Sequence, residues 1–312
     1  MSLMPVCELW IPDPQGTALQ RAGASYIGYE SFAEKSENVA FGMGEGLPGR
    51  VWASRRPEIL SALDAPSSFV RAQAAVEAEL SAGLGLPIIR DDKVVAVLTF
   101  LFAQGPEPTG VMEVWGPADD GQTLAWRSGF YGQLDDIKEA SMATSFKSGE
   151  GLPGRVWASR LPDIIPSLWP SSDFVREEVA AVAGLTTGFA FPIIRGGGVD
   201  SVAMLLSSSD MPFAKVMEIW VPDEDGASLR RQKGFYGRHS DFLDPNTDIK
   251  FALGEGLPGQ VWQSGLPEII APLDEESGFA RYQAAQSVDL TVAIGIPVVD
   301  GSRITAVILL LD

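Results

Sequence analysis

His239 is the one histidine in the chain and Cys7 the one cysteine. A serine–histidine–acid relay needs a histidine, so none can be built in the first two thirds of the sequence. Metal sites draw on clustered cysteines and histidines, and no such cluster is spelled. Carboxylates are plentiful, 41 against 23 basic residues, so chance neighbours are guaranteed and only a pattern carries information. One pattern stands out. Glu8, Glu113 and Glu218 lie 105 residues apart, and so do Arg71, Arg176 and Arg281, each two residues after Phe69, Phe174 and Phe279. A carboxylate, a guanidinium and an aromatic ring that recur together could line a ligand pocket. They could equally be a sheet-face acid, solvated or paired with Arg127 or Arg231 on the next strand, and an exposed helix arginine. His239 sits in a variable stretch and reads as solvated; Cys7, where the other copies have Met112 and Met217, reads as a small core residue.

The step of 105 runs through the whole chain. Trp10, Trp115 and Trp220 keep it, as do Pro87, Pro192 and Pro297 and the phrase "GEGLPG" at Gly44, Gly149 and Gly254. The period is too long for a solenoid repeat and right for a small domain. Three homologous units follow, at 1–105, 106–210 and 211–312. A glycine-rich turn entering a helix can hold phosphate on its N–H groups, but no Lys-Ser or Lys-Thr follows the phrase, and Glu45, Glu150 and Glu255 would repel an anion. The phrase therefore reads as a strand-to-helix corner: glycines make the turn, proline opens the helix, and Val156 and Trp157 leave it as partly buried neighbours.

The elements that position these residues are clearest in the second unit. "VMEVWGP" and "TLAWRSGFYG" flank an Asp-Gly turn and read as a β-hairpin. A polar stretch follows, Gln133–Ser145, which differs most between copies and reads as a loop or short helix holding the functional differences. Next come a short strand ending at Phe146, the "GLPGRVWASR" helix, the strand "DII", a helix over "SSDFVREEVAAVAG", and two strands around Gly196-Gly197-Gly198. The fold class is α+β with a largely antiparallel sheet.

"MEVWGPADDG", "GEGLPGRVW", "LPDII" and the final "FPII" strand pair together resemble a GAF domain, and the resemblance covers each unit nearly end to end. It implies three tandem GAF-like (PAS-like) domains with helices mainly on one face, in which the helix begun near Arg71, Arg176 and Arg281 roofs a ligand cavity. It also implies a sensory or regulatory role. Phe69, Arg71, Phe174, Arg176, Phe279, Arg281, Glu113 and Glu218 are then the candidate ligand-binding residues. Bilin-carrying members use a pocket cysteine, methionine-sulfoxide-reducing members several cysteines, cyclic-nucleotide members an N-K…F…D-E signature and haem members an axial histidine. None of these is spelled in all three units, so no cofactor is named. The leading expectation is a sensory protein that binds a small molecule and signals through a partner, without enzymatic activity. The alternative is an interaction scaffold with filled cavities, to be recognised by large side chains at the roof and sheet positions of all three units.

The charge of −18 divides as about −4, −7 and −7 over the units, counting acids against bases. It repels nucleic acid and anionic membrane, and with no apolar run long enough to span a bilayer and no secretory leader the chain reads as cytoplasmic. The repeats leave no stretch within the 312 residues for a kinase, cyclase or DNA-binding module. "VVAVLTFLF" and "TAVILLL" are apolar on both faces, the mark of strands buried on both sides. No flanking helix is spelled to cover their backs. Either all three units pack around a shared apolar core, or two close back to back and the third pairs with a second copy; the homodimer is favoured.

Overall fold

A computed structural model describes residues 3, 5–66, 69–103, 110–243 and 249–312. The first unit runs β1 (Val6–Pro12), β2 (Leu19–Tyr26), α1 (Glu30–Glu34), β3 (Ala40–Phe41), α2 (Gly46–Ser54), β4 (Glu58–Leu60), α3 (Ala72–Glu77), β5 (Leu80–Arg90) and β6 (Lys93–Ala103). The second repeats it as β7 (Gly110–Pro117), β8 (Thr123–Phe130), α4 (Asp135–Met142), β9 (Ser145–Lys147), α5 (Gly151–Ser159), β10 (Asp163–Ile165), α6 (Glu177–Val182), β11 (Thr187–Arg195) and β12 (Gly198–Ser207). The third comprises β13 (Val216–Pro222), β14 (Ser228–Phe235), β15 (Lys250–Ala252), α7 (Gly256–Ser264), β16 (Glu268–Ile270), α8 (Tyr282–Ser287), β17 (Ala293–Asp300) and β18 (Arg303–Leu311), with a 3₁₀ turn at Ser240–Phe242 in place of the first helix.

Each unit forms one six-stranded antiparallel sheet, in the first β3-β2-β1-β6-β5-β4. The α+β class and the element order agree with the sequence. The last helix is shorter than expected: α6 starts only at Glu177, and Arg71, Arg176 and Arg281 are the N-cap residues of α3, α6 and α8. The sequence Gln104–Thr109, the first expected linker, lies outside the described residues. In the second linker Phe213 and Ala214 are buried and no helix forms; Phe213 stacks edge-on against Phe100 of the first unit at 5.7 Å.

The GEGLPG corner is built as its residues demand. Gly44 and Gly46 take φ of 84° and 55°, the left-handed region open to glycine. A Cβ on Gly49 would strike the carbonyl of Gly42, and the same collision arises at Gly154 and Gly259. The glutamate of the phrase secures the turn: its carboxylate accepts the N–H of Gly42, Lys147 or Ala252 at 2.9, 2.9 and 3.0 Å. The helix buries Leu152, Pro153, Gly154 and Val156, while Trp157 is only half-buried. The deeply buried tryptophans are instead Trp10, Trp115 and Trp220, all at 0% exposure. They stand on the first strand of each unit and meet Phe41, Phe146 and Phe251 edge-on at 4.7–4.9 Å.

The apolar sheet backs cover one another. β5, β11 and β17 meet pairwise, and Leu86, Phe191 and Ile296 with Ile88, Ile193 and Val298 converge on one axis, leaving a void of only about 20 Å³. Around the rim β4 touches β8, β10 touches β14, and β16 touches β2. Each unit thus presents one edge to the next, and the third returns to the first. This is a head-to-tail contact closed by an approximate threefold rotation. The shared-core arrangement is the one observed, so the face that the homodimer was expected to cover is already covered within the chain. Two sheets cannot close back to back on a third, but three at threefold spacing leave none open.

Trp115→Ala should lower unfolding free energy by about 3–5 kcal/mol, the range for truncating a large buried side chain. Trp157→Ala should cost clearly less, because part of that side chain is already in water. Urea titrations of the two variants check the order.

Candidate functional site

The recurring acid, base and ring meet inside every unit. Glu8, Glu113 and Glu218 point from the first strand into the space beneath the N-terminal end of α3, α6 or α8, and all three are buried, as are the arginines. Arg71 donates from Nη1 and Nη2 to the two Glu8 oxygens at 2.5 and 2.8 Å. Arg176 grips Glu113 at 2.7 and 2.9 Å, and Arg281 grips Glu218 at 2.9 and 2.6 Å. These are two-pronged charge-assisted pairs, the strong geometry for this couple.

Further donors crowd each carboxylate. Tyr26, Tyr131 and Tyr236, each at the end of the second strand or just beyond it, donate to it at 2.6, 3.0 and 2.8 Å. Trp115 and Trp220 donate from Nε1 at 2.9 and 3.0 Å; in the first unit Trp10 donates instead to Thr99, which in turn donates to Glu8 at 3.2 Å. Ser36 accepts from Arg71 at 2.7 Å, and Ser141 takes the same place beside Arg176. The third-unit counterpart lies outside the described residues.

Aromatic rings complete the enclosure. The Arg71 guanidinium carbon stands 4.8–5.8 Å from the ring centres of Trp10, Phe32, Phe41 and Phe69. Arg176 is similarly placed against Trp115, Phe146 and Phe174, and Arg281 against Trp220, Phe242 and Phe279. Nε of all three arginines lacks a hydrogen-bond partner among the described residues, so ring faces supply the remaining stabilisation of the cation.

All eight candidate residues therefore lie in these clusters, together with Glu8. Two expectations from the sequence are corrected. The arginines are not exposed on a helix, because a cap position on α3 aims the side chain down onto the sheet. Glu113 does not pair with Arg127, which donates to the Pro117 carbonyl instead. Arg231 does reach Glu218, at 3.5 Å, as a second cation behind Arg281. The tyrosines and serines were missed. Their 105-residue spacing (Tyr26, Tyr131, Tyr236; Ser36, Ser141) was readable, but a hydroxyl carries no sign of burial. Cys7 is buried, and burial first, then the adjacent Glu8 charge, push its thiol well above the usual range.

Residues 1–115 match the family model for the GAF domain. The second and third units repeat the element order and the six-stranded sheet of that matched first unit, so all three are GAF-like in fold. Solved structures similar to it include the nlh2 GAF domain of A. aeolicus in an inactive state (25% identity, 32% of this chain, 58% of that one, TM-score 0.27). Others are the GAF domain of an Acinetobacter phosphoenolpyruvate-protein phosphotransferase (20%, 32% and 56%, 0.25) and NreA of Staphylococcus aureus mutated in its nitrate binding site (15%, 33% and 75%, 0.28). The chain thus spans somewhat over half of the first two. No curated protein matches it. Among the described residues of the GAF-like domains no helix is long and apolar enough to cross a membrane, and no group of three or more acidic, histidine or cysteine residues is placed to hold a metal ion.

Burial works against the Glu8 and Glu218 carboxylate ions, but the Arg71 and Arg281 charges and the hydrogen bonds around them prevail and hold both pKa values below the ordinary range. A carboxyl depressed in the folded state contributes stability that is complete above its unfolded pKa, about 4.3, and is lost as pH falls through the folded value. Unfolding free energy should therefore change little in this respect from pH 7 to 5 and drop below about pH 4, as followed by urea titration at each pH. Arg176→Met should cost about 3–5 kcal/mol by leaving a buried carboxylate without its cation. A loss under 1 kcal/mol would show that water reaches Glu113.

Proposed function

We propose that this protein is a regulatory platform: three GAF-like domains, fixed relative to one another by the closed ring, that recognise a protein partner on their outer surface. The observation that carries this reading is the content of the three interiors. The resemblance implies a ligand cavity between the sheet and the helix begun at Arg71, Arg176 and Arg281. Trp10, Phe32, Phe41 and Phe69 occupy that space in the first unit around an arginine whose charge is already paired with Glu8. Trp115, Phe146 and Phe174 stand around Arg176 in the second unit, where the buried Ile137 replaces the fourth ring, and Trp220, Phe242 and Phe279 stand around Arg281 in the third. A charged ligand entering there would have to displace a buried two-pronged ion pair.

GAF domains as a family are typically small-molecule sensing or regulatory modules, and one observation favours a small-molecule site outside the interiors. An open groove of about 550 Å³ lies between β2 and α1, lined by Arg21, Tyr26, Glu30, Glu34 and Glu37 above the small floor residues Ala22, Gly23 and Ala24. Its volume is that of an ordinary ligand pocket. Tyr26 links it to Glu8, and Arg21 donates to the same tyrosine hydroxyl at 2.7 Å. In this second reading the first unit senses a small polar molecule.

Native mass spectrometry of the full chain separates the two. The platform reading expects the mass of the bare 33.3 kDa chain. A stoichiometric small-molecule adduct overturns it; an adduct that disappears in Arg21→Ala supports the groove.

A further inference from the structure

We propose that the helical face of the second unit, formed by α4 and the C-terminal end of α6, docks a basic amphipathic segment of a partner protein; this rests on the platform reading and names where and what the platform recognises. The three units are interchangeable at the axis and in their interiors, but not on this face. In the first unit an exposed ion pair, Lys35 with Glu77, ties the end of α1 to α3. The residues 105 positions on are Ala140 and Val182, and Val182 is 84% exposed. On the other flank of the same helix, Arg21 and Glu37 line one groove in the first unit. Their counterparts are Trp126 and Met142, the latter 54% exposed. Four charged positions have become apolar ones, around a helix whose Ile137 and Ser141 still turn inward as Phe32 and Ser36 do in the first unit. Wet apolar side chains on both flanks of one helix, Val182 beside it and Met142 on it, mark an interaction surface on a strongly charged protein.

Charge selects the occupant. Asp135, Asp136 and Glu139 share α4 with Ala140 and Met142, Glu177 and Glu178 open α6, and Lys138 is the one base on the two helices. A segment with apolar residues on one side and lysine or arginine on the other matches both features, as when an amphipathic helix lies against a groove. A second copy of this chain fits worse, since a twofold contact would set these acidic helices against themselves. Nucleic acid and anionic membrane are repelled by the same charge.

The probe is a fluorescein-labelled 14-residue peptide of leucine and lysine with helical spacing, titrated with the full chain and read by fluorescence anisotropy. The decisive variant is the double change A140K/V182E, which reinstates the first unit's ion pair and leaves net charge unchanged. The proposal expects saturable binding, at least about tenfold weaker binding to A140K/V182E, a smaller loss with Met142→Gln, and none for a leucine–glutamate peptide. Equal affinity for wild type and A140K/V182E would reduce the effect to unspecific charge attraction and overturn the proposal, as would the absence of saturable binding. It is also overturned if the wild type sediments as a dimer that A140K/V182E dissolves, because the face would then be taken by a second copy. None of these outcomes adds a small molecule to the chain, and only such an adduct overturns the platform reading, so that reading stands or falls separately.

Discussion

The apolar backs of three sheets have to be covered, and nearly everything else in the molecule follows from how that is done. In β5, β6 and their counterparts both faces are buried. One face takes the domain's own helices. The other meets the two neighbouring units across the axis through Leu86, Phe191 and Ile296 and the layer at Ile88, Ile193 and Val298. Burial of this kind is non-directional and scales with area, so it can hold the units together without choosing their order. The choice falls to the rim. There Arg56 reaches Asp200, Arg160 reaches Asp300, and Arg90 donates to the Ser264 carbonyl. Two of these contacts are arginine–aspartate ion pairs and the third ends on a backbone carbonyl, at interfaces that are otherwise alike.

The interiors answer a separate problem, that of a buried charge. An isolated carboxylate in such a place would be neutralised; an isolated guanidinium would be stranded. Here each is the other's partner, with a tyrosine hydroxyl and, in two of the units, an indole N–H supplying donors to the carboxylate's other lone pairs. The pair ties the first strand to the N-terminal end of a helix 63 residues away in sequence. It fixes the position of a six-residue helix whose cap has no side-chain hydrogen bond of its own. Replaced by apolar residues the pair could be matched in stability. What it adds is a defined register between helix and sheet.

Repetition made most of this legible in sequence. The period, the α+β order, the doubly apolar strands and the need for a cover could all be read from residues 105 apart. The acid and arginine were also visible, but not their meeting. A carboxylate on a strand and an arginine before a helix look solvated one at a time, and only the fold puts the second above the first. Threefold closure was hidden for a related reason. Pairing arguments count faces by twos, whereas a triangular packing depends on the angle between sheets, which no local pattern encodes. Val156 and Trp157 were legible as neighbours sharing the core, but not that Val156 would be fully buried and Trp157 only partly, since adjacent positions on a helix of nine residues point in different directions.

Three copies of one interior and one axis also narrow where function can reside. A feature kept at all three positions serves what the units have in common, which is folding and closure. The Glu–Arg pair, the buried tryptophan and the GEGLPG corner are of this kind. A feature present once is free of that duty. The segment between the second and third strands is a five-residue helix in the first unit, an eight-residue helix in the second and a 3₁₀ turn in the third. Phe32, Ile137, Ser141 and Phe242 turn its inner side into the units, but its outward positions lie away from the ring, where a change disturbs neither axis nor interior. Divergence there has little structural cost, so it is where three equivalent domains could acquire different partners.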